Sequence, residues 1–331
     1  MHSSLISILL PVYNAGDFLA PCLESILAQT EIHWELVAVD DFSIDQSWDT
    51  LQRYAAADTR IRCYHNATKG LIPALRLAFE QSKGDLITRM DDDDLMPTTK
   101  LAILKQILLN NPQNCVATGL VRYFSDQPLG DGYKRYEQWI NYLALNQNHF
   151  SAIYKECPLP SPCWMMRRED LLDVGTFDTD TYPEDYDLCF RLYKYGKRII
   201  AAPEVVHLWR DHPGRASRTE LPYADNTFLD LKLQYFLEID YQSKRPLVLW
   251  GAGRKGKAAA QFLSEKRIPF HWVCDNPRKW GKSMFGAVWQ DYRALSSLEN
   301  PQVIILVAAP DEQPIIAKYL SEIGGQGYWF C

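Results

Sequence analysis

Asp85-Leu86-Ile87-Thr88-Arg89-Met90-Asp91-Asp92-Asp93-Asp94 reads as a short apolar strand that runs straight into four consecutive carboxylates. Four like charges at a strand end need neutralising, and a divalent cation is the simplest agent. Hard cations such as Mg²⁺ or Mn²⁺ take oxygen ligands, commonly one or two carboxylates plus substrate phosphates. The run therefore points to a phosphate-bearing ligand held at this strand end. Taken alone it also reads as a solvated acidic turn before the helix that Pro97 opens, since acidic residues suit a helix N-terminus.

Upstream, strands and helices alternate. Residues 5–10 form an apolar strand that breaks at Pro11, and Phe18, Leu19, Cys22, Leu23, Ile26 and Leu27 then fall at helical spacing. A second strand over Trp34–Val39 ends in Asp40-Asp41, Trp48, Leu51 and Tyr54 mark the next helix, and Ile61–Tyr64 is a third strand. The loop Asn66–Gly70 and a helix from Pro73 to Gln81 lead back to the acidic strand. Such alternation with short loops predicts right-handed βαβ units around a mostly parallel sheet, whose ligands bind beyond the carboxyl ends of the strands. Tyr13-Asn14, Asp40-Asp41 and Asp91–Asp94 all fall at such ends and are expected to share one crevice.

Composition narrows the class. A chain of 331 residues is long enough for two domains. Its 47% apolar and 23% charged residues belong to a globular protein, and it has no apolar run of about 18 residues that would span a bilayer. The net charge of −6 argues against nucleic acid as the main partner. The apolar start lacks a basic n-region and a small-residue cleavage site, which predicts a strand and not a signal peptide. Eight cysteines without CxxC spacing are expected to be reduced thiols of a cytosolic chain.

An ordered series of short motifs adds to this. Ser7-Ile8-Leu9-Leu10-Pro11-Val12-Tyr13-Asn14 is followed by Val39-Asp40-Asp41-Phe42-Ser43-Ile44-Asp45, Lys69-Gly70-Leu71 and Arg89–Asp94. Glu184-Asp185-Tyr186-Asp187-Leu188 and Arg210-Asp211-His212-Pro213 complete it. Over roughly residues 4–220 the chain resembles the family 2 glycosyltransferases of the GT-A fold. The resemblance implies transfer of a sugar from a nucleotide-diphosphate donor, with uridine the expected base, to a hydroxyl, with inversion at the anomeric carbon. Mn²⁺ or Mg²⁺ would neutralise the leaving diphosphate.

Carried over by position, Asp93 is the metal-binding carboxylate of the DXD motif, Asp91 its partner nearer the ribose, and Asp92 the middle residue. Asp94 stands behind them or caps the next helix. Asp41, beside Asp40, matches the carboxylate that accepts a hydrogen bond from the base, and Tyr13 would stack on or flank that base. Pro11, Asn14 and Lys69 belong to the same donor side. Phe42 stands where the family usually has glycine. Arg210, Arg215 and Arg218 suit a diphosphate, and His212 fits the family's loop position better than His207 as a further metal ligand. Asp185 matches the general base that takes the acceptor hydroxyl's proton. Glu184 is the alternative, because adjacent residues at a helix start point in different directions. The aromatics of residues 132–162, among them Tyr133, Tyr136 and Trp139, either face the acceptor or pack a sheet.

After a predicted helix over Thr227–Leu237 and the polar break Gln242–Pro246, the pattern restarts. Strand Leu247–Trp250, the GxGxxG of Gly251, Gly253 and Gly256, a helix, and a strand over Phe270–Cys274 that ends at Asp275 compose a dinucleotide fingerprint. These four residues form a candidate second nucleotide site. This part resembles the small Rossmann-like modules attached to sugar-modifying enzymes, where the glycines serve packing or bind a nucleotide. The expected organisation is a GT-A domain over 1–240, an α/β domain with a mostly parallel sheet flanked by helices, and a Rossmann-like accessory domain over 241–331. The expected acceptor is a glycan or a lipid-linked acceptor in cell-envelope polysaccharide synthesis, in the cytoplasm or peripherally at the inner membrane face. Two alternatives remain: an NAD(P)-dependent sugar oxidoreductase that uses the C-terminal fingerprint, and a non-catalytic sugar-nucleotide-binding scaffold.

Overall fold

The computed structural model describes residues 4–111, 113–215, 218 and 228–331, so the expected helix start at Thr227 lies outside the described residues. The chain divides into two compact units, Met1–Ser151 with Cys157–Arg215, and Ala152–Glu156 with Ala216–Cys331.

In the first unit, β1 (Ile6–Val12), β2 (Trp34–Asp40), β3 (Ile61–His65) and β4 (Leu86–Arg89) are parallel. Every residue of β1, β2 and β4 is buried, which is why these strands read as continuous apolar runs: helices cover both faces. The remaining strands are β5 (Cys115–Phe124), β6 (Met165–Arg167) and β7 (Arg198–Arg210). The sheet order is β3-β2-β1-β4-β6-β5-β7. The short β6 is antiparallel to both β4 and β5, and β7 runs parallel to β5. Two reversals restore the original direction, so the carboxyl end of β7 emerges at the same edge as those of β1, β2 and β4. The acidic run and residues 210–212 are thereby brought together across more than a hundred residues of sequence.

The second unit has its own six-stranded sheet. In chain order β8 (Leu247–Trp250), β9 (His271–Val273), β11 (Ala287–Gln290), β12 (Gln302–Ile305) and β13 (Gln326–Trp329) are parallel, and β10 (Ser283–Met284) pairs antiparallel with β11. The order β10-β11-β9-β8-β12-β13 places the parallel strands in the 3-2-1-4-5 arrangement of a doubly wound sheet. Helix Leu229–Ile239 belongs to this unit, whereas the sequence reading ended the first domain at 240. Its buried residues include Leu233 and Phe236. Phe236 meets Tyr328 at 4.8 Å, Tyr154 stacks on Phe330 at 5.1 Å, and the Tyr154 hydroxyl donates to Asp240 Oδ2 at 2.6 Å. The polar break at 242–246 therefore falls inside a compact unit. Among the described residues no helix is long and apolar enough to cross a membrane.

Candidate active site

The loops that leave β1 and β2 are stitched to each other and to the acidic run. Pro11 lies in β1 opposite Val39. The Tyr13 amide donates to Asp92 Oδ2 at 2.9 Å. Asn14, with φ 49°, donates its amide to Ser43 Oγ at 3.0 Å and accepts from the Ile44 amide at 2.9 Å. Phe42 has φ 63°, so the glycine-like left-handed turn is kept although a phenylalanine occupies it. That conformation costs a side-chain-bearing residue about 1–2 kcal/mol, and glycine returns about 0.5–1 kcal/mol through its freer unfolded state. Phe42→Gly is expected to stabilise the fold by about 0.5–1 kcal/mol, seen as a higher urea midpoint with an unchanged slope.

Asp40 and Asp41 do different work. Asp40 is buried at the end of β2, with Oδ2 at 3.5 Å from His65 Nδ1. Asp41 accepts the Gly70 amide on both oxygens, at 2.8 and 3.0 Å, and Asn66 Nδ2 at 2.7 Å. Its first role is thus to hold the 66–70 loop. Lys69 of that loop donates to the Tyr13 hydroxyl at 3.2 Å and lies 4.6 Å from the ring centroid.

The four carboxylates after β4 turn to different partners. Asp91 Oδ1 pairs with Arg89 at 2.8 Å, and Asp92 takes the Tyr13 amide. Asp93 Oδ2 lies 2.9 Å from His212 Nε2. Asp94 Oδ2 lies 2.8 Å from the buried His207 Nε2, and its Oδ1 accepts the Arg210 amide at 2.7 Å. Burial pushes the Asp91 carboxyl up, but the Arg89 charge and hydrogen bond, with the His207 and Arg215 charges, together outweigh it and hold the group below its ordinary range. Burial followed by the Asp93 charge drives Asp92 well up, and burial with Asp94 and Asp91 raises Asp93. Asp94 rises to about 7, chiefly through burial and against the opposing Arg215 charge. This crowding of negative charge is what a cation would relieve.

Asp93 Oδ2 and His212 Nε2 meet directly at 2.9 Å as a hydrogen-bonded pair, a spacing that adjacent ligands of an octahedral ion at about 2.1 Å also have. Among the described residues no group of three or more His, Cys, Asp or Glu side chains could hold a metal ion, so the described side chains offer part of a coordination shell. Asp91, expected as a metal partner, directs one oxygen to Arg89. Arg210, expected on the donor side, braces the run: its Nε donates to the Asp93 carbonyl at 2.7 Å, and its guanidinium lies over Phe18 and Phe124.

Helix α1 (Glu184–Lys194) opens after the cis peptide Tyr182–Pro183. Glu184 is buried and its Oε1 accepts Arg89 Nη1 at 2.8 Å. Asp185 is half-buried and accepts the Tyr186 amide at 2.7 Å. Burial and the Glu184 charge push Asp185 up to about 7, with Arg89 opposing. Of two adjacent carboxylates, one is a fixed ion pair and the other titrates near neutrality. Arg89, given no role in the sequence reading, joins the acidic run to this helix. Its signal was an arginine inside an apolar strand, which is buried only when paired. The aromatics after Gly132 largely pack: Tyr123 lies 5.3 Å from Tyr133 and stacks on Trp209 at 4.9 Å, and Tyr136 donates to the Cys157 carbonyl.

In the second unit the glycines have local reasons. A Cβ at Gly256 would sit 2.1 Å from the Gly251 carbonyl oxygen, and Gly251 has φ 129°. Gly253 faces open space. Asp275 Oδ2 accepts Trp250 Nε1 at 3.2 Å. A cavity of about 370 Å³ opens beside Trp250, Asp275, Tyr292 and Tyr319, with none of the three glycines on its wall. Gly256→Ala is expected to cost about 3 kcal/mol or more, because a backbone atom must move, whereas Gly253→Ala stays within about 1 kcal/mol. Thermal unfolding of the two variants measures the difference.

Comparison with known proteins names the family. The sequence model described as Glycosyl transferase family 2 matches residues 7–175, just over half of the chain. The chain is a family 2 glycosyltransferase. This glycosyltransferase is 26% identical over 226 residues to "Glycosyltransferase GlyG" of Streptococcus pneumoniae, covering 66% of this chain and 74% of that protein. Its fold is similar to that of S. aureus TarS 1–349 solved with UDP-GlcNAc, with a TM-score of 0.51, 16% identity and coverage of 96% and 80% of the two chains. It is also similar to the mannosyltransferase PcManGT of Pyrobaculum calidifontis, solved with GDP-Man and Mn²⁺, with a TM-score of 0.53, 20% identity and coverage of 72% and 64%. At these identities the two structures speak for the shared GT-A fold.

Proposed function

We propose that this glycosyltransferase is inverting and metal-dependent, and that it moves a sugar from a nucleotide diphosphate, favouring uridine, to a hydroxyl of a glycan or lipid-linked acceptor. The observation that carries the reading is the pairing of Asp93 with His212 at the carboxyl ends of β4 and β7, together with a half-buried Asp185, pushed up to about 7, next to the Glu184 that Arg89 ties to the acidic run. Tyr13 and Asn14, with Pro11 and Asp40 behind them, form the base side of the donor site. Asp41 holds the loop that carries Lys69, and Asp91 and Asp92 face the ribose and diphosphate. Asp93 and His212 would hold Mn²⁺ or Mg²⁺, which would supply positive charge for the departing diphosphate. Asp185 accepts the proton of the acceptor hydroxyl as it attacks, assistance worth about 10²–10⁴-fold.

The bound UDP-GlcNAc of TarS and the GDP-Man and Mn²⁺ of PcManGT support a sugar nucleotide with a metal. The setting proposed is cell-envelope polysaccharide synthesis, in the cytoplasm or peripherally at the inner membrane face. For residues 241–331 we propose an accessory role in which the fingerprint glycines serve packing, and NAD then leaves the melting temperature unmoved. Thermal shift against UDP, UDP-GlcNAc, UDP-glucose and GDP-mannose tests the main reading. A hundredfold excess over Kd stabilises by about 2.7 kcal/mol. The uridine compounds should raise the melting temperature with Mn²⁺ and not with EDTA; a shift by NAD alone would favour the oxidoreductase instead.

A further inference from the structure

Arg89 is 3% exposed inside β4, in a place where its strand neighbours Leu86 and Ile87 are apolar. Its two terminal nitrogens each hold a different carboxylate, Glu184 and Asp91, both at 2.8 Å. Its Nε has no partner among the described residues, so the side chain's polar contacts go to those two acids. Burying an arginine between two carboxylates gains a fold little over an apolar side chain of similar volume. What the guanidinium adds is a rigid planar fork that holds two acids on separate nitrogens at a fixed separation, whereas a lysine would gather both on one freely rotating ammonium. One end of this fork lies in the acidic run and the other on the first residue of α1, next to Asp185.

We propose that Arg89 is a positioning residue for the catalytic base: through Glu184 it fixes the first turn of α1, and with Glu184 it sets the charge that Asp185 experiences. This rests on Asp185 being the base. The groups that face Asp185 are Glu184 on its own helix, Arg89 from β4, the Ser161 hydroxyl from the turn before β6, and the Tyr186 amide. The Cys157 thiol also lies within reach of its charge and is itself pushed well up, mainly by burial. Only Arg89 and Glu184 among these are charged, and they act in opposite senses: Glu184 raises the Asp185 carboxyl and Arg89 lowers it.

That opposition separates the proposal from a merely structural brace. Activity rises with pH as the base loses its proton. Removing the Arg89 charge makes the Asp185 anion harder to form and moves this acid limb to higher pH; removing the Glu184 charge moves it lower. A brace that simply loosened would admit water to Asp185 in both variants and move both limbs the same way, downward. The test is the pH profile of kcat for UDP release, with water as acceptor, from whichever of UDP-GlcNAc, UDP-glucose and UDP-galactose turns over fastest. Asp185→Asn first assigns the limb: if the limb survives, the base reading itself falls. If Asp185 owns it, Arg89→Met should raise it by about one pH unit and Glu184→Gln lower it by about one. The double variant, which also removes one of the two acids left unpaired by Arg89→Met, should return towards the parent position. Arg89→Lys keeps the charge without the fork, and is expected to leave the limb in place while kcat falls about tenfold or more. Should Arg89→Met not fold, Glu184→Gln and Arg89→Lys still decide. Limbs that stay put, or that move together, overturn the proposal.

Discussion

Asp185→Asn lowers turnover by about 10²- to 10⁴-fold and leaves donor and metal affinity nearly unchanged, because the base touches the acceptor hydroxyl while the donor is held on other strands. Loss of UDP binding in this variant would instead make Asp185 a donor or metal ligand. The same substitution has an opposite effect on stability. With a folded value of about 7 against about 3.9 unfolded, native Asp185 keeps a proton between pH 4 and 7 that the unfolded chain releases. The sign follows from linkage: native stability from this group is full below pH 4 and falls as pH rises through 7. Asparagine carries no such dependence. Asp185→Asn should therefore melt above the parent at pH 8 and together with it near pH 4, an exchange of stability for activity at the site. Glu184→Gln should be the milder of the two on turnover, and the reverse ranking would move the base to Glu184.

Asp93→Asn abolishes the dependence of UDP affinity on Mn²⁺. The carboxylate supplies the charge that holds the cation against the diphosphate, and an amide oxygen at the same place supplies none. Calorimetry with and without Mn²⁺ measures this directly; a variant that binds UDP and metal like the parent would remove Asp93 from the metal site. His212→Ala should weaken the same response without abolishing it, since the negative charge remains. A pH dependence accompanies both. Burial and the neighbouring aspartates raise the Asp93 carboxyl, and a metal competes with protons for its ligands. Metal-dependent affinity should thus fall on acidification sooner than for an ordinary aspartate.

Much of this geometry was legible because β1, β2 and β4 are buried on both faces and therefore read as unbroken apolar runs that end in polar signatures. The return of β7 to the same edge was not, since it depends on a three-residue strand, Met165–Arg167, too short to show a period. Helix Leu229–Ile239 announced an apolar stripe, but a stripe states that it is buried and not against which sheet. The acids at strand ends were identified as a group, while their partners were hidden: Asp41 is claimed by the Gly70 amide, and Arg210 by the Asp93 carbonyl. Both bonds depend on loop conformations that residue type does not encode. Phe42 shows the converse case, in which local chemistry argues against a left-handed turn and the surrounding hydrogen bonds impose it.

In the proposed single displacement, Asp185 activates the attacking oxygen on the side opposite the departing diphosphate. The anomeric configuration of the first-formed product tests it most directly. UDP-GlcNAc carries its sugar in the α configuration, so hydrolysis by the protein with Mn²⁺, followed by proton NMR before mutarotation, should show the β anomer first, and Asp185→Asn should show almost none. The α anomer appearing first, or an undiminished yield from the variant, would rule out this displacement.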